Sequence, residues 1–244
     1  MTNAIHPTAL LVGRVELGFG NYVGPGAVIT GPITIGNNNY FGPCSIVGGA
    51  PQDMGVDPIT FMNSNADRES SISTILIGDS NVFREFVTIH HPLSSITRIG
   101  SNNYFMTYAH IPHDCTIEDG VKIANSTQIA GYSHIMSFSY LGLNSVVHQF
   151  TCIGSYAMIG MSSVVTKHVL PGSKSFGSPA RLLGPNKIGL SRAGISSFDW
   201  WNEYADNSLG SADVPSVLEI EHARWTRIVE RQEDLRKIVS ANPR

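Results

Sequence analysis

Charged side chains are scarce: Asp, Glu, Lys and Arg make up 14% of 244 residues, and the formal net charge is −3. Nothing in that balance points to a nucleic-acid partner, which would call for a basic surplus. Cysteine is rare and odd in number. Cys44, Cys115 and Cys152 all fall inside repeats, so they read as small buried side chains in a reducing compartment and not as a disulfide framework. No apolar stretch is long enough for a membrane span. The N-terminal MTNAIHPTALL lacks a basic region followed by a continuous apolar run, so no signal peptide is expected and the expected location is the cytoplasm. What the chain does have is glycine, 24 of them, which fits a β-rich solenoid better than a helical bundle.

Repetition at a fixed period decides the fold class. In steps of six from Ile5 come Leu11, Leu17, Val23, Ile29, Ile35, Phe41 and Val47. The rhythm lapses, returns at Ile77, Phe83 and Ile89, and slips by four residues. From Ile99 it runs unbroken through Phe105, Ile111, Ile117, Ile123, Ile129, Ile135, Leu141, Val147, Ile153, Ile159 and Val165. Two residues before the apolar position the side chain is usually small, as at Ala27, Ser45, Ala109, Cys115, Thr127, Ser133, Ser145 and Ser163. Residues two apart on a strand share a face, so both columns point inward. Glycine often follows the bulky residue, as at Gly36, Gly78, Gly100, Gly142, Gly154 and Gly160, where it is expected to ease a corner. Three hexads per turn make a triangular coil, and stacked coils pair their strands in parallel.

Two interruptions break the rhythm: a polar, turn-rich insertion over 49–73 and the short slip His91-Pro92-Leu93-Ser94-Ser95. After Val165 a proline- and glycine-rich exit, KHVLPGSKSFGSPARLLGP, leads to helical spacing near 186–194, 196–206 and 215–240. The expected organisation is a β-helix over 1–175 and a helical region over 176–244. That second region holds nine of the sixteen Lys and Arg residues. Arg224, Arg227 and Arg231 form one stripe on the last helix, read first as a solvated face balanced by Glu230, Glu233 and Asp234, with a docking surface for an acidic partner as the sharper reading.

The stretch YAHIPHDCTI, residues 108–117, holds the chemistry-bearing side chains. Ile111 is inward, so His110 points outward and His113 and Asp114 follow at the bend. Further histidines recur nearby at His90, His91, His134 and His148. From the residues alone three readings stay open: surface histidines, a zinc site, or general-base catalysis by His113 with a carboxylate orienting the imidazole. The His-x4-His spacing of β-helix carbonic anhydrases does not occur.

AHIPHDCTI, followed by ANSTQIAGYSHI and VVHQF, resembles the acyl-[acyl-carrier-protein]–UDP-N-acetylglucosamine O-acyltransferases, the first enzymes of lipid A synthesis. The HPTA, FREFVTIH, GPN and GLSR segments match too. The resemblance implies a mainly β, left-handed parallel β-helix, a homotrimer with clefts between subunits, an acyl carrier protein as donor, a sugar-nucleotide acceptor, and no metal or cofactor. It implies that His113 is the general base, Asp114 its partner and Gly131 N–H the oxyanion donor. It places His110 and Gln149 on the acyl-donor side and His90 on the sugar-nucleotide side. Gln52 and Asp53 match acceptor-binding positions, and Asn186 and Arg192 nucleotide-contacting ones. Met161 falls where the acyl pocket ends, implying a shorter chain than glycine would allow. The chain departs from the family pattern at Gly55, Tyr132, Ile188 and Ala193. Those losses of polar groups bear on the acceptor, so acyl transfer to a different, amine-bearing sugar nucleotide is a second expectation. A non-catalytic β-helix scaffold and a metal-dependent hydratase are expectations from other classes.

Overall fold

The computed structural model describes residues 2–65, 74–206 and 214–241. Its body is a parallel β-solenoid whose short strands stack into three sheets of ten, eight and seven strands. The first sheet begins with Ala4–Ile5 and Tyr22–Val23, the second with Leu10–Val12 and Val28–Thr30, and the third holds Val15–Leu17 and Ile33–Ile35. Partners one coil apart are eighteen residues apart, as in Ala4↔Tyr22. Across the insertion Tyr40 pairs with Val82, and across the slip Thr88 pairs with His110. Both interruptions are therefore extruded at corners while the inward column keeps its register, with one irregularity between Ile89 and His90; a one-residue slip of the whole strand would have turned it inside out.

The apolar column fills the interior from Val23 to Val165. Only the first coil differs: Ile5 and Leu11 are exposed, because the open end of a solenoid has no neighbour to cover it. Phe41, Phe83 and Phe105 stack at 4.9 and 4.8 Å along the axis. Each fully buried side chain of this size contributes roughly 1.5–3 kcal/mol, and the small column beside it, with Ala109, Cys115 and Ser133 fully covered, leaves room for that packing.

The glycines after the bulky residues have a different role from the one expected. None of those six has a positive φ; a Cβ on Gly142 would lie 2.7 Å from the Ile159 carbonyl oxygen, so it is the close approach of the next coil that requires glycine. The left-handed corner conformation falls three residues after the bulky position, where Gly20, Gly26 and Gly120 carry it in three coils and non-glycine residues in most others, including Tyr108, Asp114, Tyr132 and Phe150 at φ 57–63°.

Other local differences follow from side-chain chemistry. The insertion carries a short helix, α1 (Pro58–Asn65), and residues 66–73 of it lie outside the described residues. The proline- and glycine-rich exit is a hairpin, Ser173–Gly177 with Ala180–Pro185, and it adds to the first sheet. Helix α2 spans Lys187–Arg192, α3 only Trp201–Ala205, and α4 Ser216–Ala241. The helix expected from 196 starts late because Ser197 bonds Asp199 and Trp200 Nε1 donates to the Ser197 carbonyl, a local turn that competes with helix.

A second apolar cluster, including Leu190, Trp200, Trp201, Tyr204 and Leu218, joins these helices to the solenoid, and Tyr204 donates to the Pro171 carbonyl at 3.2 Å. The arginine stripe on α4 is not uniformly solvated. Arg224 bonds Glu118 of the solenoid at 2.9 Å and Glu221 at 2.8 Å, and Glu233 pairs with His168 at 3.1 Å. Among the described residues, no helix is long and apolar enough to cross a membrane.

Candidate active site

His113 sits at a corner between the second and third sheets, with its ring against the next coil. A Cβ on Gly131 would fall 2.5 Å from His113 Cε1 and 2.7 Å from Nε2, so only glycine leaves the ring its place. Tyr132 meets the imidazole edge-on at 5.1 Å, and Phe150 one coil further stacks on Tyr132 at 4.8 Å. The ring is held on two sides and is only 8% exposed. It lies outside the apolar interior yet is far from a free surface side chain.

His113 Nδ1 is 3.0 Å from Asp114 Oδ2. Burial pushes the Asp114 carboxyl upward, but hydrogen bonds from His113 and from the backbone N–H groups of Leu93 and Ser94 outweigh it and hold the group at about 2. An ionised carboxylate only accepts, so Nδ1 carries a proton, and Nε2 is the nitrogen that can present a lone pair. That is the tautomer a general base needs.

His90 and His110 stand beside it, their rings 5.0 Å apart and edge to face. His90 Nδ1 donates to the Ala50 carbonyl at 2.6 Å, which also pins the start of the insertion. His110 Nδ1 lies 2.8 Å from Thr88 Oγ1. Burial lowers His110 to about 4, with the charges of His90 and His113 adding to the effect, and burial lowers His90 as well. Both are neutral polar groups at neutral pH. The Gly131 N–H has no hydrogen-bond partner among the described residues. Gln149 is exposed one coil beyond Gly131.

The structure thus brings His90, His110, His113, Asp114 and Gly131 together. The other expected residues lie elsewhere on the chain. Gln52 is exposed, and Asp53 accepts from Gly55 N at 2.8 Å in a tight turn. Met161 is 66% exposed at a different corner. Arg192 lines a cavity of about 410 Å³ with Lys122, Phe138, Tyr140, Tyr156 and Ile188. Asn186 borders the same cavity but serves as the N-cap of α2: Oδ1 accepts from Gly189 N at 3.2 Å, and Nδ2 donates to the Tyr156 carbonyl at 2.8 Å. His134 turns away to Glu118 at 2.8 Å, and His91 is buried with Nε2 on the Thr30 carbonyl.

Leu93, Ser94, Ser95 and Phe150 were missed by the sequence reading, and Tyr132 was seen only as a departure from the family pattern. Leu93, Ser94 and Ser95 wrap the Asp114 carboxylate, and the four-residue slip was their only trace. Tyr132 and Phe150 share the hexad position of Asp114, eighteen and thirty-six residues on, which would have placed them in one column.

A parallel β-solenoid of six-residue repeats defines a hexapeptide-repeat protein, and the family model "Bacterial transferase hexapeptide (six repeats)" matches residues 14–49 and 96–131. An acyl-[acyl-carrier-protein]–UDP-N-acetylglucosamine O-acyltransferase from Janthinobacterium sp. is 32% identical over 179 residues, covering 70% of this chain and 68% of that protein. The chain belongs to that O-acyltransferase family. A relative of the same name from Gloeothece citriformis is 43% identical over 126 residues, covering 51% of this chain and 46% of its own length. The chain therefore spans about half the length of several relatives it matches. LpxA from Acinetobacter baumannii superposes with a TM-score of 0.65 at 27% identity, covering 96% of this chain and 95% of that one.

Proposed function

We propose that the protein transfers an acyl chain, such as a 3-hydroxyacyl group, from acyl carrier protein to a hydroxyl of a UDP-N-acetylglucosamine-type sugar nucleotide. The observation that carries this is the His113–Asp114 pair with Nε2 beside Gly131, whose N–H has no partner among the described residues. In the reaction, His113 Nε2 takes the proton of the acceptor hydroxyl as its oxygen attacks the thioester carbonyl. Gly131 N–H donates to the oxyanion of the tetrahedral intermediate. The C–S bond then breaks, the ester C–O bond remains, and the proton passes from Nε2 to the departing thiolate. Asp114 stays ionised throughout and balances the transient imidazolium.

Exposed apolar side chains on the solenoid flank, including Ile46, Phe86, Tyr108 and Val146, support a homotrimer in which each site draws on two chains. That assembly would bring the Arg192 cavity of one chain toward the histidine cluster of another, where Gln52, Asp53, Asn186 and Met161 would complete acceptor and donor subsites. Docking of an acidic carrier falls to Arg227 and Arg231, which stay exposed while Arg224 holds α4 to the solenoid. Net charge gives no help there, because residues 176–244 hold as many Asp and Glu as Lys and Arg.

A second reading, transfer to a different or amine-bearing sugar nucleotide, is favoured by two features: Ile188 presents a 69% exposed apolar side chain to the Arg192 cavity, and Tyr132, a departure from the family pattern, meets the His113 ring edge-on. The test of the base assignment is His113→Ala. It removes transfer while leaving the oligomer and its unfolding transition intact; retained turnover would refute the role of His113.

A further inference from the structure

The slip between Ile89 and Ile99 adds four residues to one coil, and their backbone converges on a single carboxylate. Asp114 Oδ1 accepts from Ser94 N at 3.1 Å, Ser95 N at 2.9 Å, and both serine hydroxyls at 3.1 Å. Oδ2 accepts from Leu93 N at 2.8 Å and faces His113 Nδ1. Thr97 Oγ1 ties the same segment at both ends, accepting from Asp114 N at 3.0 Å and donating to the His90 carbonyl at 3.2 Å. Successive N–H groups turned toward one anion form a concave donor nest. With Oδ1 saturated by the two serines, the carboxylate cannot rotate, and Oδ2 is left aimed at the imidazole.

We infer that Leu93–Ser95 is a positioning element for His113, with Ser94 and Ser95 fixing the Asp114 carboxylate so that the ring keeps its proton on Nδ1 and its lone pair on Nε2. This rests on the acyl-transfer reading of the site for its kinetic consequence, but the ring tautomer is a property of the protein alone. Ser94 and Ser95 are both exposed, so alanine at either position leaves no cavity.

The test is the double variant Ser94→Ala/Ser95→Ala in the full-length protein, with each single variant and Ser94→Thr/Ser95→Thr beside it. Losing two hydrogen bonds to a charged acceptor is expected to lower kcat about tenfold, and about threefold for each single variant, with KM nearly unchanged. Threonine, which keeps the hydroxyl, restores most of the loss. Ring ¹⁵N spectra of His113 should show the Nδ1–H form in the wild type and a mixture of both tautomers in the double alanine variant. A double variant with wild-type kcat and an unchanged nitrogen pattern would overturn the inference. If the wild type transfers no acyl group and the nitrogen pattern still shifts, the acyl-transfer reading fails while the positioning role stands.

Discussion

Replacing Gly131 by alanine would put a methyl carbon where the His113 ring already lies. The new Cβ would be 2.5 Å from Cε1 and 2.7 Å from Nε2, against an ordinary contact of about 3.5–4 Å. The φ of Gly131 is not in the left-handed region, so the backbone accepts alanine and the strain falls on the ring. Nor can the ring swing aside freely, since Asp114 holds Nδ1 at 3.0 Å and Tyr132 closes the other side. It must shift by about 1 Å, and a misplacement of that size costs about 10²-fold in rate. Overpacking at the corner costs roughly 1–3 kcal/mol of stability. The assay is single-turnover acyl transfer, read by mass spectrometry, alongside thermal unfolding of the same preparation. Turnover within about threefold of wild type would mean that the reacting nitrogen is not the one pressed against Gly131.

Asp114→Asn should lower kcat by roughly 10²- to 10⁴-fold, since an amide supports the wrong tautomer, and steady-state kinetics at fixed pH checks it. Asp114 also sets an acid limit on stability. Its carboxyl titrates at about 2 in the folded chain against an ordinary value near 4, so its contribution of about 2 kcal/mol is complete above pH ~4 and is lost as pH falls toward 2. Acid unfolding followed by circular dichroism should show that decline, and Asp114→Asn should flatten it. Arg224→Ala removes the bond from α4 to Glu118 and should cost about 1–2 kcal/mol, with faster amide exchange in 216–241 than in the solenoid. Met161→Gly should favour donors longer by two or three carbons, at about 0.8 kcal/mol per methylene covered, measured by competition between carrier-bound acyl chains.

Whatever repeats every six residues was legible. Ile99 through Val165 filled the interior as spaced, and the small column packed beside them, because one strand position can face only one way. The glycines were legible as corner features but not in their role: their lack of a side chain serves contact between coils, while Tyr108 and Asp114 carry the left-handed turn. The exit hairpin was hidden because its prolines and glycines read as irregular chain, although Phe176 lies so close over Gly160 that a Cβ there would clash. In the site, His113 and Asp114 were visible as a dipeptide. Their environment was not, because the donors around Asp114 come from residues about twenty positions upstream, brought back by a loop whose conformation no period encodes. Nor does spacing show that Asn186 would cap a helix or that His134 would turn to Glu118.

The proposed reaction makes an ester from a carrier-bound acyl group and a sugar-nucleotide hydroxyl. The most direct measurement is a matrix of acyl carrier proteins of several chain lengths against several UDP- and dTDP-sugars, each read for product mass with wild type and His113→Ala side by side. Wild type should give an acylated UDP-N-acetylglucosamine-type product and His113→Ala none. No acylated product with any UDP-sugar, or equal product from both proteins, would contradict it.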